Sequence, residues 1–103
     1  STSKLVKVHD IIDQIMFLAN KKSRKFTMGL EETMNANEYG AIDSLVFSEG
    51  VIQNYDEQKI IDFLNDVESK GTKVYSVDAT TDVGLRVTGL GGIISLLRFA
   101  VEG

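Results

Sequence analysis

The sequence predicts an α/β fold, a three-layer α/β/α sandwich in which helices cover both faces of a four-stranded, largely parallel or mixed sheet. Three observations carry that prediction. Helical and strand-like patterns alternate along the chain in the order α-β-α-β-α-β-α-β. The strand-like stretches are short and apolar with little in–out alternation, the pattern of strands covered on two faces. No low-complexity linker or solenoid-period repeat breaks the order, so the 103 residues read as one domain, 1–103.

Each element has a local reason. Over residues 4–20, Leu5, Val8, Ile12, Ile15 and Ala19 keep a 3–4 spacing, and Ile11, Met16 and Leu18 widen the stripe. Such breadth predicts a helix covered on more than one side. Lys21, Lys22, Arg24 and Lys25 follow at its C-terminal end, where cations suit the helix dipole. That cluster reads as a solvated loop, with a contact to RNA or an acidic protein as the sharper alternative. Phe26-Thr27-Met28 is a short strand ended by Gly29. A helix over 30–39 places Glu31 and Glu32 in its first turn and turns Leu30, Met34 and Ala36 inward, with Gly40 as its stop.

Residues 41–48 form the next strand, with Ile42, Leu45, Val46 and Phe47. Glu49-Gly50 opens a loop, and Asn54 with Glu57 resembles a capping box. The helix it starts, 56–70, buries Ile60, Ile61, Leu64 and Val67 and stops at Gly71. Residues 73–78 are a third strand through Val74, Tyr75 and Val77, and a short helix lies around 83–87. Gly89-Leu90-Gly91-Gly92 is a bend leading into the last strand, 93–101. Arg98 interrupts that apolar run. A charge there either pairs across the sheet, with Asp43 or Asp78, or emerges at the strand's open end.

Composition narrows the function classes. Apolar residues make up 43% and charged ones 25%, ordinary globular values. There is no cysteine, so disulfides and thiolate metal sites are excluded, and His9, read as a surface residue, is the single histidine. No apolar run approaches the ~20 residues that cross a bilayer. A soluble cytoplasmic domain is expected, and the lack of proline with an abrupt start inside a helical pattern suggests a piece of a longer protein. Net charge is -4 but uneven. Residues 1–25 balance at +4 and the remainder at -8, which argues against the whole surface coating nucleic acid.

The chemical motifs are weak. The glycines of Gly89-x-Gly91-Gly92 leave a helix and open a strand, the reverse of a phosphate loop. Asp43, Asp78 and Asp82 could group as an acid/base or metal site of a hydrolase, but capping and strand-end solvation account for them more simply. Tyr39, Tyr55 and Tyr75 are scattered and form no stacking platform.

Three segments carry a resemblance. Asn37-Glu38-Tyr39-Gly40-Ala41-Ile42-Asp43-Ser44-Leu45, then Asp66-Val67-Glu68-Ser69-Lys70-Gly71, then Gly91-Gly92-Ile93-Ile94-Ser95-Leu96-Leu97-Arg98-Phe99 resemble the C-terminal domain of the Pelota family. These are ribosome-rescue relatives of the eukaryotic and archaeal class I peptide chain release factors. The short connection from Ser48 to Asp56 is more similar to Pelota than to the release factors. Residues 78–84 keep only the glycine of a segment common in Pelota proteins, and Ala100 stands where many members have proline.

The resemblance implies a fold like that of kink-turn-binding ribosomal proteins and a domain without chemistry or cofactor. It implies docking on a translational GTPase of the elongation-factor type and on the ribosome-splitting ABC ATPase. Carried to matching positions, the contact residues are Met16, Phe17, Phe26, Leu90, Gly91, Gly92, Ile93 and Arg98. A release-factor domain is the nearest alternative, and a kink-turn RNA-binding module a more distant one.

Overall fold

The computed structural model describes residues 2–102; Ser1 and Gly103 lie outside the described residues. Its elements are α1 (Thr2–Asn20), β1 (Phe26–Met28), α2 (Leu30–Glu38), β2 (Ile42–Ser48), a 3-10 segment (Glu49–Asn54), α3 (Glu57–Ser69), β3 (Lys73–Val77), α4 (Asp82–Gly89) and β4 (Ile93–Leu97). The four strands form one sheet in the order β1-β4-β2-β3. β4 is antiparallel to both its neighbours, while β2 and β3 are parallel through the α3 crossover. The expected mixed α/β/α sandwich is the fold observed.

The sheet separates two cores. On one face α1 and α4 bury Val8, Ile11, Ile12, Ile15, Val83 and Val87 against Val46, Val77, Ile94 and Leu96. On the other, α2 and α3 bury Ala36, Ile60, Phe63, Leu64 and Val67 against Ile42, Leu45, Ile93 and Leu97. Every residue of β4 is buried because it lies in the middle of the sheet with helices above and below. That is why its sequence is a continuous apolar run rather than an alternating one.

The second face also holds a buried polar seam. The Thr33 hydroxyl donates to the Gly29 carbonyl at 2.7 Å, so it accepts from Thr27 at 2.8 Å, and Thr27 in turn accepts from Ser95 at 2.5 Å. The chain of donors has one consistent direction, and each buried hydroxyl is satisfied. The seam ties α2 to β1 and β4 beside the apolar packing of Leu30 and Ala36.

Several expectations need correction. Met34 and Ile61 are exposed, and α2 instead buries Thr33, Ala36 and Asn37. Leu5 and Ala19 face solvent, because α1 is covered by the sheet on one side only. The N-cap of α3 is Asp56, whose carboxylate accepts from Lys59 N–H, not Asn54, which is taken up by the 3-10 segment. α4 starts from Thr81, whose hydroxyl accepts from Gly84 N–H, leaving Asp82 in the first turn. β4 ends at Leu97, four residues short of the expected 101, so Arg98 does not interrupt a strand.

Candidate interaction surface

β4 separates the sequence-predicted contact residues. Leu90, Gly91, Gly92 and Ile93 lie where it begins and Arg98 where it ends, with five strand residues between, about 17 Å. One contiguous stretch of sequence thus serves two opposite ends of the sheet.

At the glycine end the geometry is one of close packing. α4 finishes with Gly92 N–H donating to Val87 O at 2.9 Å and Gly91 N–H to Thr88 O at 3.1 Å, the paired bonds of a Schellman motif. Gly91 sits at φ 117, and a Cβ there would lie 2.8 Å from Gly29 N. Gly92 is buried, and Ile93 is wholly buried in the α2/α3 core, so its side chain presents nothing to solvent. Leu90 is half-buried against the opposite core.

At the other end α1 closes with the same pair of bonds, Ser23 N–H to Leu18 O at 2.9 Å and Lys22 N–H to Ala19 O at 3.1 Å. Here the left-handed position is Lys22, at φ 58. One turn earlier Phe17 is 58% exposed, and the Lys21 ammonium lies 4.8 Å from its ring centroid. Met16 and Phe26 are half-buried against the α1/α4 core. Arg24 meets both carboxylate oxygens of Glu102, at 3.2 and 3.3 Å. Met16 and Phe26 pack on the same core as Leu90, but the pairing of β1 with β4 sets Phe26 and the end of α1 at one end of the sheet and Gly91 to Ile93 at the other.

Arg98 is exposed at this same end. Its peptide N–H donates to Ala41 O at 2.7 Å, and its Nη1 donates to Gly40 O at 2.9 Å, just past the C-terminus of α2. Of the two alternatives for Arg98, the open end is the one realised: neither Asp43 nor Asp78 is its partner. A second cation completes the end of α2. Lys70 Nζ donates to Asn37 O at 2.9 Å and lies 3.1 Å from Asp66 Oδ2, which also accepts from Asn37 Nδ2 at 2.7 Å. The Asn37 hydrogen bond first, then Lys70, holds the Asp66 carboxyl below the usual carboxylate range. Cations at a helix C-terminus meet its outward-pointing carbonyls, which explains both positions.

The three aspartates considered as a catalytic group are divided. Asp43 is the extra residue of a β-bulge at the start of β2, between Ile42 and Ser44. Asp78 follows the end of β3, which runs parallel to β2, so it lies at the far end of the sheet. There its Oδ1 accepts from Thr80 N–H and from Thr80 Oγ1, both at 2.8 Å, and these bonds lower its pKa. Among the described residues no group of three or more His, Cys, Asp or Glu side chains is arranged to hold a metal. No described helix is long and apolar enough to cross a membrane.

Two exposed aromatics outside the sequence-based list adjoin Arg98. Phe99 is 46% exposed and Tyr39, beside Gly40, is 59% exposed. Their common position is visible only once the end of β4 is paired with the end of α2.

The sequence profile described as "eRF1 domain 3" matches residues 5–101. The chain belongs to the eRF1 domain 3 family. Its relatives place it on the Pelota branch, as the C-terminal domain. The protein pelota homolog of Nitrosopumilus maritimus is 68% identical over 102 residues, covering 99% of this chain and 29% of that protein. Crystal structures agree. Archaeoglobus fulgidus Pelota superposes with a TM-score of 0.88 at 30% identity, over 99% of this chain and 32% of that one. Saccharomyces cerevisiae Dom34, described as a termination-like factor of RNA quality control that interacts with Hbs1, gives 0.84 at 25% identity over 94% of this chain and 28% of that one. An archaeal Pelota bound to the ribosome with ABCE1 shares the fold, with a TM-score of 0.81 at 22% identity over 98% of this chain and 28% of that one. The chain thus spans less than a third of the length of these relatives.

Proposed function

We propose that the chain is a non-catalytic docking domain of a cytoplasmic ribosome-rescue factor. It binds a translational GTPase of the elongation-factor type and, at a later stage, the ribosome-splitting ABC ATPase. The observation that carries this reading is the corner at the end of α1. Phe17 is largely exposed beside Lys21, and Met16 and Phe26 are half-buried on the core at the same end of the sheet. An exposed aromatic on a rigid helix, accompanied by apolar side chains and flanked by cations, has the make-up of a protein-contact anchor. Family membership supports the partner class, since Dom34 interacts with Hbs1 and an archaeal Pelota has been seen with ABCE1. Arg98, Phe99 and Tyr39 extend the same end of the sheet and form a second contact area.

The test is a pull-down of the GTPase with the full-length protein carrying Phe17→Ala. Binding is expected to fall about tenfold or more, as for a central aromatic anchor, with the domain's melting temperature unchanged. Undiminished binding by a full-length protein lacking this domain altogether would refute the reading. Steeply salt-dependent binding of the isolated chain to a kink-turn RNA would favour the RNA-module alternative instead.

A further inference from the structure

The sheet has a free edge at β1, and the wall beside it carries unneutralised negative charge. Lys25 O accepts from Leu97 N–H at 3.0 Å, and Gly29 N–H donates to Ile93 O at 2.7 Å. In antiparallel pairing the backbone groups point alternately toward and away from the partner strand. With residues 25, 27 and 29 facing β4, Phe26 and Met28 turn their N–H and C=O groups outward. Of these groups, among the described residues only the Met28 N–H is covered, by Glu32 Oε1 at a long 3.3 Å. Alongside runs a groove of about 670 Å³ whose lining includes Arg24, Phe26, Glu31, Glu32, Asn35 and Val101. Its charges do not cancel. Arg24 is already paired with Glu102, whereas Glu31 is exposed and Glu32 meets only the Met28 amide.

From this geometry we infer that the β1 edge is a strand-addition site for an extended segment of a partner protein, with apolar side chains alternating with lysine or arginine. The incoming backbone pairs with Phe26 and Met28 and displaces the Glu32 carboxylate from the Met28 amide. Side chains on one face of that strand enter the groove, where a cation meets Glu31 and Glu32 and an apolar group meets Val101. The edge is short, three residues or about 10 Å, so it adds to a larger interface rather than forming one alone. The groove lies on the α2 face, and the site uses the Phe26 backbone, whose side chain packs on the opposite, α1/α4 core.

An acetylated, amidated Lys-Val-Lys-Val-Lys peptide titrated into the isotope-labelled 103-residue chain tests the inference. The largest amide shifts are expected at Phe26 and Met28, with slowed hydrogen exchange at both. Affinity should fall about tenfold with Glu31→Lys, the loss that follows from placing like charges together. Glu32→Gln, which keeps a cap on the amide but removes the charge, should weaken binding less. The Glu-Val-Glu-Val-Glu peptide, and a Lys-Val peptide N-methylated at alternate residues, should not bind. Equal binding of the acidic or the N-methylated peptide would overturn the inference, as would shifts confined to other strands or no binding at all. Concentration-dependent dimerisation with shifts at Phe26 and Met28 in the absence of peptide would assign the edge to a second copy of the chain and also overturn it.

Discussion

The ends of α1 and α4 are closed by the same two hydrogen bonds and yet have different residues at the turning point. α4 turns at Gly91 and α1 at Lys22, both left-handed. At Gly91 the glycine is compulsory because the Gly29 backbone lies where a side chain would begin. Lys22 is exposed, and no neighbouring backbone occupies the position of its side chain. It carries the modest cost of a left-handed L residue, about 1–2 kcal/mol. One end of the sheet is built by backbones in close approach and fixes the fold. The other is finished with charged and aromatic side chains that stand exposed.

The strongest way to break this contrast is to add a methyl group at the packed end. A Cβ on Gly84 would stand 1.9 Å from the Asp78 carbonyl oxygen, a main-chain atom that cannot swing aside. Gly84→Ala is expected to cost about 4 kcal/mol or more, the range reserved for gross backbone conflict. Gly91→Ala combines a disfavoured φ with contacts of 2.8 and 2.9 Å to Gly29, and should cost about 3 kcal/mol. Urea denaturation followed by circular dichroism measures both. A loss below 1 kcal/mol at Gly84 would mean that this end is looser than its geometry.

Removing a charge at the open end should do less. Arg98→Ala deletes a hydrogen bond to Gly40 O, an acceptor that water can reach once the guanidinium is gone. The expected loss is about 1 kcal/mol, typical of an accessible charge-assisted bond. If Arg98 belongs to the contact area, Arg98→Glu lowers GTPase binding by more than this stability loss explains, with the fold intact. A large drop in melting temperature would instead make Arg98 a structural strut.

These contrasts explain what could be read in the sequence. The four α-helices and four strands of the described residues were legible, because apolar spacing and glycine stops record burial and chain reversal directly, whereas spacing alone left the sheet as largely parallel or mixed. The inward face of α2 was misread because Thr33 and Asn37 are polar, and their burial depends on distant partners, Thr27 and Asp66. The spacing 33, 36, 37 was a helical signal, but only to a count that admits polar residues. The length of β4 was overestimated because an apolar run has no mark where its neighbours stop pairing. The Gly91–Arg98 motif looked like one site since a sequence does not show that its two halves are separated by a whole strand. Met16 and Phe26 pack on the α1/α4 core, Phe17 stands exposed, and Ile93 is covered by α2 and α3.

Lys22→Gly reverses the sign of the Gly91 experiment. Relief of the left-handed strain, about 1–2 kcal/mol, is partly offset by the greater unfolded-state freedom of glycine, about 0.5–1 kcal/mol. A net gain of about 0.5 kcal/mol is expected, with the Lys21–Phe17 contact retained and partner binding little changed. Destabilisation would show that the Lys22 side chain makes a contribution of its own, and the likeness between the two helix ends would then stop at the backbone.

The smallest effect is a pH dependence at the end of α2. Asp66 is held below its ordinary value of 3.8 by Asn37 and Lys70, so the folded state favours its ionised form. A carboxyl with a lowered folded pKa stabilises the protein above its unfolded value. That contribution fades as pH falls through the folded value. Asp66→Asn should therefore be less stable than the parent near neutral pH, with the difference shrinking once the pH drops below 3.8. Lys70 still reaches Asn37 O, so the bond that closes the helix survives in the variant. Parallel denaturation curves across that range make the comparison. A gap that stays constant with pH would mean that Asp66 acts through shape rather than charge, and the cations at Lys70 and Arg98 would then hold this end of the sheet without help from an anion.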